Sequence, residues 1–254
     1  MNPTVLEPVP FRIDSRSLPA ALHVPEGSSY LEVVLRLAEE AKRCARPRAL
    51  YGVAYIDDRG DGFVVAEGRR FSSRVLSVNL DGLQRFFPYV VTSGCELEAW
   101  ANAHEDVLVR FFADAISQLV LRSAAESLER RLREVHGLTQ VSHMNPGSLE
   151  DWPLAEQRVL FALLGDVTGA IGVELTDSLL MVPTKSVSGI YFPIEETFES
   201  CQLCPREGCP NRRAAYDAEL FERKYAAARL ERLASGDQAG LSAAVSALLN
   251  LADR

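Results

Sequence analysis

The sequence reads as an α+β protein in which a twisted antiparallel sheet packs against helices. Three observations carry that expectation. Strand-like runs and helical stretches do not alternate regularly, as they would in a parallel α/β fold. A Gly-containing turn joins two adjacent strands near residue 60. One very long amphipathic pattern occupies the middle of the chain.

In order, Pro8, Pro10 and Pro19 make the first segment extended or turning. "SYLE", with Ser29 three residues before Glu32, predicts a capping box. It opens a helix whose face carries Leu31, Val34, Leu35 and Ala38, and which Pro47 ends. "YGVAYI" and "FVVA" flank "DDRGDG" as a hairpin. "FFPYVVTSG" is a strand whose start Pro88 obscures. From Glu105 to Val135 apolar residues recur at three- and four-residue steps, with Leu121, Ala125, Leu128, Leu132 and Val135 expected inward. Glu126, Glu129, Arg130 and Arg133 fill the other side, Gly137 caps the end, and the helix should reach about 45 Å. "DWPLAEQRVLFALLG" gives a helix between Pro153 and Gly165, and "GAIGVEL" and "SVSGIYF" give short strands. Residues 212–234 and 241–252 read as two further helical segments. The expected organisation is one unit, 1–254, with residues 1–80 as an N-terminal α/β portion of unclear origin and 195–254 as a thiol motif plus helical extension.

Composition excludes several classes. The chain is 47% hydrophobic and 24% charged, with a net charge of −8, so it can bury a core and lacks the basic stripe of a nucleic-acid binder. No run approaches the roughly 18 apolar residues of a membrane span. The N-terminus lacks the pattern of a signal peptide, and the five cysteines are odd in number, so a cytoplasmic location with reduced thiols is expected. No histidine pair has zincin spacing, and no nucleophile elbow, Walker A motif or dinucleotide fingerprint occurs. No catalytic residue is assigned. Asp57, Asp58 and Asp61 read as a solvated turn, since the rest of a calcium loop is missing.

The chemistry-bearing motif is "CQLCPREGCPNRR". Cys201, Cys204 and Cys209 have the spacing C-x2-C-x4-C, and short spacers can converge thiolates on an iron–sulfur cluster or a zinc ion. Pro205 and Pro210 stiffen the loop, while Arg206, Arg212 and Arg213 either favour thiolates or begin an exposed helix. A fourth ligand would come from Cys95, Cys44, a histidine or an exogenous group. Unliganded thiols are the alternative.

Residues 144–192 resemble the activation domain of cobalamin-dependent methionine synthase. The resemblance is carried by "LTDSLLMVPTKSVSGIYF", where Thr176, Ser178, Met181, Pro183, Ser186, Val187, Ser188, Gly189, Tyr191 and Phe192 match in order and spacing, and by the upstream Pro146-Gly147 turn. "VVTSGCELE" and "FFADAISQLVLRSAAE" are similar to stand-alone relatives of that domain. The resemblance implies an α+β fold that packs over a corrinoid held by a neighbouring module and takes part in restoring oxidised cobalamin. It also implies S-adenosylmethionine binding through Arg-x-x-x-Gly-Tyr and the "G-x-Y-F" strand. This assigns His143, Gly147, Ser188, Gly189 and Tyr191 as cofactor-binding positions. Here His143 replaces the arginine and Ser148 the tyrosine. Arginine grips a carboxylate with two parallel bonds and a permanent charge. Its loss costs on the order of 1.5–3 kcal/mol, so S-adenosylmethionine binding is expected to be weakened. No D-x-H-x-x-G cobalt-ligand motif is present, so cobalamin must arrive with a corrinoid-binding protein or methionine synthase modules.

Three readings follow. The chain is an accessory for reductive reactivation or capping of a corrinoid partner, with an iron–sulfur cluster at the thiols. Alternatively it is a non-redox scaffold with structural zinc, or an activation domain that still binds S-adenosylmethionine.

Overall fold

The computed structural model describes residues 1–194, 198–209 and 212–226. In chain order the elements are β1 (Thr4–Leu6), α1 (Leu18–Ala21), α2 (Tyr30–Cys44), β2 (Arg48–Tyr51), β3 (Ala54–Gly60), β4 (Phe63–Ala66) and β5 (Arg69–Ser72). Then come α3 (Arg74–Asn79), β6 (Arg85–Thr92), α4 (Cys95–Asn102), α5 (Val107–His136) and β7 (Val141–Met144). The last are α6 (Gln157–Leu164), α7 (Val167–Ile171), β8 (Glu174–Leu175), β9 (Met181–Val182) and β10 (Ser186–Pro193). Every strand pairing is antiparallel, so the expected α+β class holds.

β6 is the spine of the main sheet. On one side it pairs along most of its length with β10, from Ser186 opposite Thr92 to Tyr191 opposite Phe87. On the other, β2 covers its last four residues and β3 its first two. β1 extends the sheet beyond β2, β4 and β5 extend it beyond β3, and β7 closes the far edge on β10.

Pro88 sits inside this central strand, where a missing N–H should break the ladder. The register removes the conflict. The N–H and C=O of one strand residue point to the same side, and the Pro88 carbonyl accepts from Gly52 N at 3.0 Å on the side of β2 and β3. Gly52 lies between β2 and β3, where no ladder bond is required. The β10 side of β6 is untouched.

Alternation along β6 divides the core. Phe87, Tyr89 and Val91 face α5 and pack with Leu121, Ala124, Leu128 and Leu132. Phe86 and Val90 face the opposite layer, with Trp152, Leu160, Leu164, Val167 and Ile171. A third cluster joins α1, α2, α4 and the start of α5 through Leu18, Val34, Leu37, Leu97, Phe112 and Ile116. The sheet thus lies between two helical layers.

Several local expectations change. α2 starts at Tyr30, but Ser29 has helical dihedrals (φ −60°, ψ −18°) and makes no side-chain cap, so the predicted capping box does not form. α5 spans 30 residues, capped by Asp106 and closed by Gly137, yet Ala124 rather than Ala125 faces the core and Val135 is exposed. "GAI" of "GAIGVEL" is helical in α7, because the Asp166 carboxylate accepts from Gly169 N at 2.8 Å and starts a turn. Residues 212–220 are not a continuous helix; a wide helical turn covers Phe221–Ala226. The expected segment 241–252 lies outside the described residues.

Asp151 ties the loop before α6 to α3 within the same layer. Its carboxylate accepts from Arg74 N at 3.2 Å, Val75 N at 2.9 Å and the Ser73 hydroxyl, at the start of α3. Asp151→Ala leaves these donors unpaired and should cost about 1–3 kcal/mol. Urea denaturation should show a lower midpoint with an unchanged slope.

Candidate functional site

The candidate site forms where β7 ends before β10 does. β7 pairs only with Ile190–Pro193, leaving the upstream half of β10 beyond it. The loop 145–152 fills this gap. Gly147, at φ +83°, makes the turn that lets its N–H donate to the Trp152 carbonyl at 2.7 Å, while Ser148 N donates to the Asn145 carbonyl at 3.1 Å.

Asn145 joins loop to strand. Its Nδ2 donates to the Ser188 carbonyl at 2.8 Å and to the Tyr89 hydroxyl at 2.9 Å. From α6, Gln157 Nε2 donates to Ser188 Oγ at 3.0 Å. Gly189 allows this approach: a Cβ there would overlap the Met144 carbonyl oxygen. Gly189→Ala should therefore destabilise by about 1–3 kcal/mol, read as a lower thermal midpoint.

The five assigned positions do not share one surface. Tyr191 lies on the α5 face, stacked on Tyr89 with ring centroids 4.4 Å apart, and its hydroxyl donates to the Ala125 carbonyl at 3.3 Å. His143 is beside it, 5.7 Å between centroids. Ser188 points the other way, toward α6, and Gly189 contributes backbone only. Gly147 is exposed at the loop tip, next to exposed Ser148.

Electrostatics on the α5 face favour neutral groups. Burial pushes the Tyr89 phenol up to about 12 and raises Tyr191 well above the usual phenol range. Burial, helped by the nearby Arg213 charge, lowers His143 to about 4. The groups suit binding and orientation better than proton transfer near pH 7. Because His143 is neutral in the folded state and ordinarily titrates at 6.5, its contribution to stability is complete above pH 6.5 and is lost as pH falls toward 4. That loss is at most roughly 3 kcal/mol. His143→Gln should flatten this part of the stability profile, measured by urea midpoints at each pH.

On the loop's outer side a cleft of about 470 Å³ separates it from the thiol segment. Val75, Leu149, Leu203 and Phe221 supply apolar walls, with Ser148, Glu150 and Cys204 at the lining. Beneath the loop, Trp152 Nε1 and Gln157 Oε1 are buried without hydrogen-bond partners among the described residues. Sequence reasoning missed Asn145, Gln157 and Tyr89. Asn145 stood inside the matching "HMNPGS" stretch, but nothing in the local pattern marked Gln157 or Tyr89.

Cys201, Cys204 and Cys209 lie in the segment after β10. Among the described residues no group of three or more His, Cys, Asp or Glu side chains could hold a metal ion. Cys201, Cys204 and Cys209 are all free and partly buried, and Cys95 is exposed. Cys95 opens α4 beside the Thr92 end of β6. The thiol segment follows the opposite end of β10, where the Ser142 hydroxyl donates to the Phe198 carbonyl. They therefore lie toward opposite ends of β10, a strand about 23 Å long at 3.3 Å per residue. Arg212 serves the loop backbone rather than a helix, donating to the carbonyls of Cys201, Cys204, Arg206 and Ala214.

The loop–strand segment and the overall fold are each similar to those of an activation domain. Residues 146–199 match the family model described as vitamin B12 dependent methionine synthase, activation domain. A solved structure titled as the crystal structure of the MetH reactivation domain bound to AdoHcy is similar over 79% of this chain and 81% of its own, at 18% identity and a TM-score of 0.54. At that identity it is the fold that is shared. The resemblance read from residues 144–192 is thus supported in sequence and in fold. No curated protein matches the chain. No helix among the described residues is long and apolar enough to cross a membrane.

Proposed function

We propose that this chain is a reactivation module for B12-dependent methyl transfer, which binds an S-adenosyl ligand and meets a corrinoid-carrying partner supplied separately. One observation carries the reading: the family-matched segment, residues 146–199, coincides with the loop, α6 and β10 that build the candidate site. The relative with the same fold was solved with AdoHcy bound. The unpartnered Trp152 Nε1 donor and Gln157 Oε1 acceptor beneath the loop fit a polar ligand drawn against it.

The ligand's carboxylate would be held less firmly than by arginine. His143 is neutral at pH 7 and offers no permanent charge. Binding rests instead on the backbone of the Gly147 turn and the Ser188–Gly189 strand. On this reading no step runs through an iron–sulfur cluster or zinc; among the described residues no group of three or more His, Cys, Asp or Glu side chains could hold a metal ion.

Calorimetry with AdoHcy and with S-adenosylmethionine tests this directly. Weak binding is expected for the wild-type chain. Restoring the arginine, His143→Arg, should tighten it by about 10- to 100-fold. Absence of heat in both proteins, together with an unchanged visible spectrum when the chain is mixed with a corrinoid-loaded methionine synthase module, would overturn the proposal.

A further inference from the structure

The thiol segment remains unexplained by the reactivation reading, and its geometry suits a different chemistry from metal binding. Cys204 N donates to the Cys201 carbonyl at 3.3 Å, closing a four-residue turn. Such a turn holds its end Cα atoms less than about 7 Å apart, overlapping the roughly 4.4–6.8 Å range of disulfide-bonded pairs. A single guanidinium braces the turn at both ends: Arg212 Nη1 donates to the Cys201 carbonyl at 3.0 Å and Nη2 to the Cys204 carbonyl at 3.1 Å. The Arg213 N–H points at Cys201 Sγ, 3.4 Å away, and fixes that side chain. Cys204 lines the open cleft of about 470 Å³. Cys209 has no comparable link between its sulfur and either of the other two among the described contacts; its carbonyl accepts from Arg212 N at 3.2 Å.

We propose that Cys201 and Cys204 are a thiol–disulfide exchange pair whose substrate is a low-molecular-weight disulfide entering the cleft. The Cys204 thiolate attacks one sulfur of the incoming disulfide, forming a mixed disulfide and expelling the first small thiolate. The Cys201 thiolate then attacks Cys204 Sγ, forming the Cys201–Cys204 bond and expelling the second. The protein pair loses two electrons and two protons overall, and the small disulfide gains them as two thiols. The braced backbone means that closure needs side-chain rotation and little else. On this reading the Cys201–Cys204 turn acts without a metal, and Cys209 takes no part in the exchange.

Oxidised glutathione is the probe, applied to the reduced full chain, with free-thiol titration and peptide mass mapping as readouts. The expected result is loss of two thiols and a Cys201–Cys204 cross-link, with Cys44, Cys95 and Cys209 still free. Cys201→Ser should accumulate a glutathione adduct on Cys204 that added thiol removes. Cys204→Ser should form neither the cross-link nor that adduct. The proposal falls if wild-type protein keeps all its thiols, if the adduct on Cys204 persists unresolved, or if the cross-link engages Cys209. It falls equally if anaerobically purified protein carries stoichiometric iron or zinc that blocks these thiols.

Discussion

The antiparallel pairing of β6 with β10 is the contact on which the rest of the molecule depends. Phe86, Phe87, Tyr89, Val90 and Val91 on one strand and Ile190, Tyr191 and Phe192 on the other are almost wholly buried, some toward each helical layer. Each such side chain is worth about 1.5–3 kcal/mol when removed from water. The two strands lie nearly 100 residues apart in sequence, so their pairing encloses α4, α5, β7, α6 and α7 within one long loop. Only when this register is set do Asn145 and Gln157 each come within hydrogen-bonding reach of Ser188.

Much of this was legible in the residues. The long helix announced itself through its spacing, and Asp106 and Gly137 terminate it close to where the pattern stops. "SVSGIYF" forms β10 and "FFPYVV" forms most of β6. The obscured parts share a cause, which is that a neighbour overrides the local signal. Pro88 looks like a strand breaker until Gly52 is seen beside it. Ala124 and Ala125 cannot be told apart by hydrophobicity, and only the direction of approach to the sheet selects the former. β1 pairs with β2 from a proline-rich stretch that carries no alternating pattern of its own.

The site was legible in its backbone and not in its side chains. His143, Gly147, Ser188, Gly189 and Tyr191 do lie along one loop and one strand, yet alternation sends the His143 and Tyr191 rings to one face and the Ser188 hydroxyl to the other. Spacing alone could not reveal which of them a ligand would meet. The thiols pose the converse case. Their short spacers within one loop suggested a shared centre but say nothing about Cys95, a hundred positions away toward the other end of β10.

The Asn145 amide at the Ser188 carbonyl has one more consequence. Where β7 stops short, the upstream part of β10 would otherwise offer free backbone acceptors to any extended peptide that drifted past. A side chain from the adjoining loop occupies that place instead, so the sheet is sealed against foreign strands without an extra strand of its own. Opening the loop would unseal it and leave that edge of the sheet exposed to self-association.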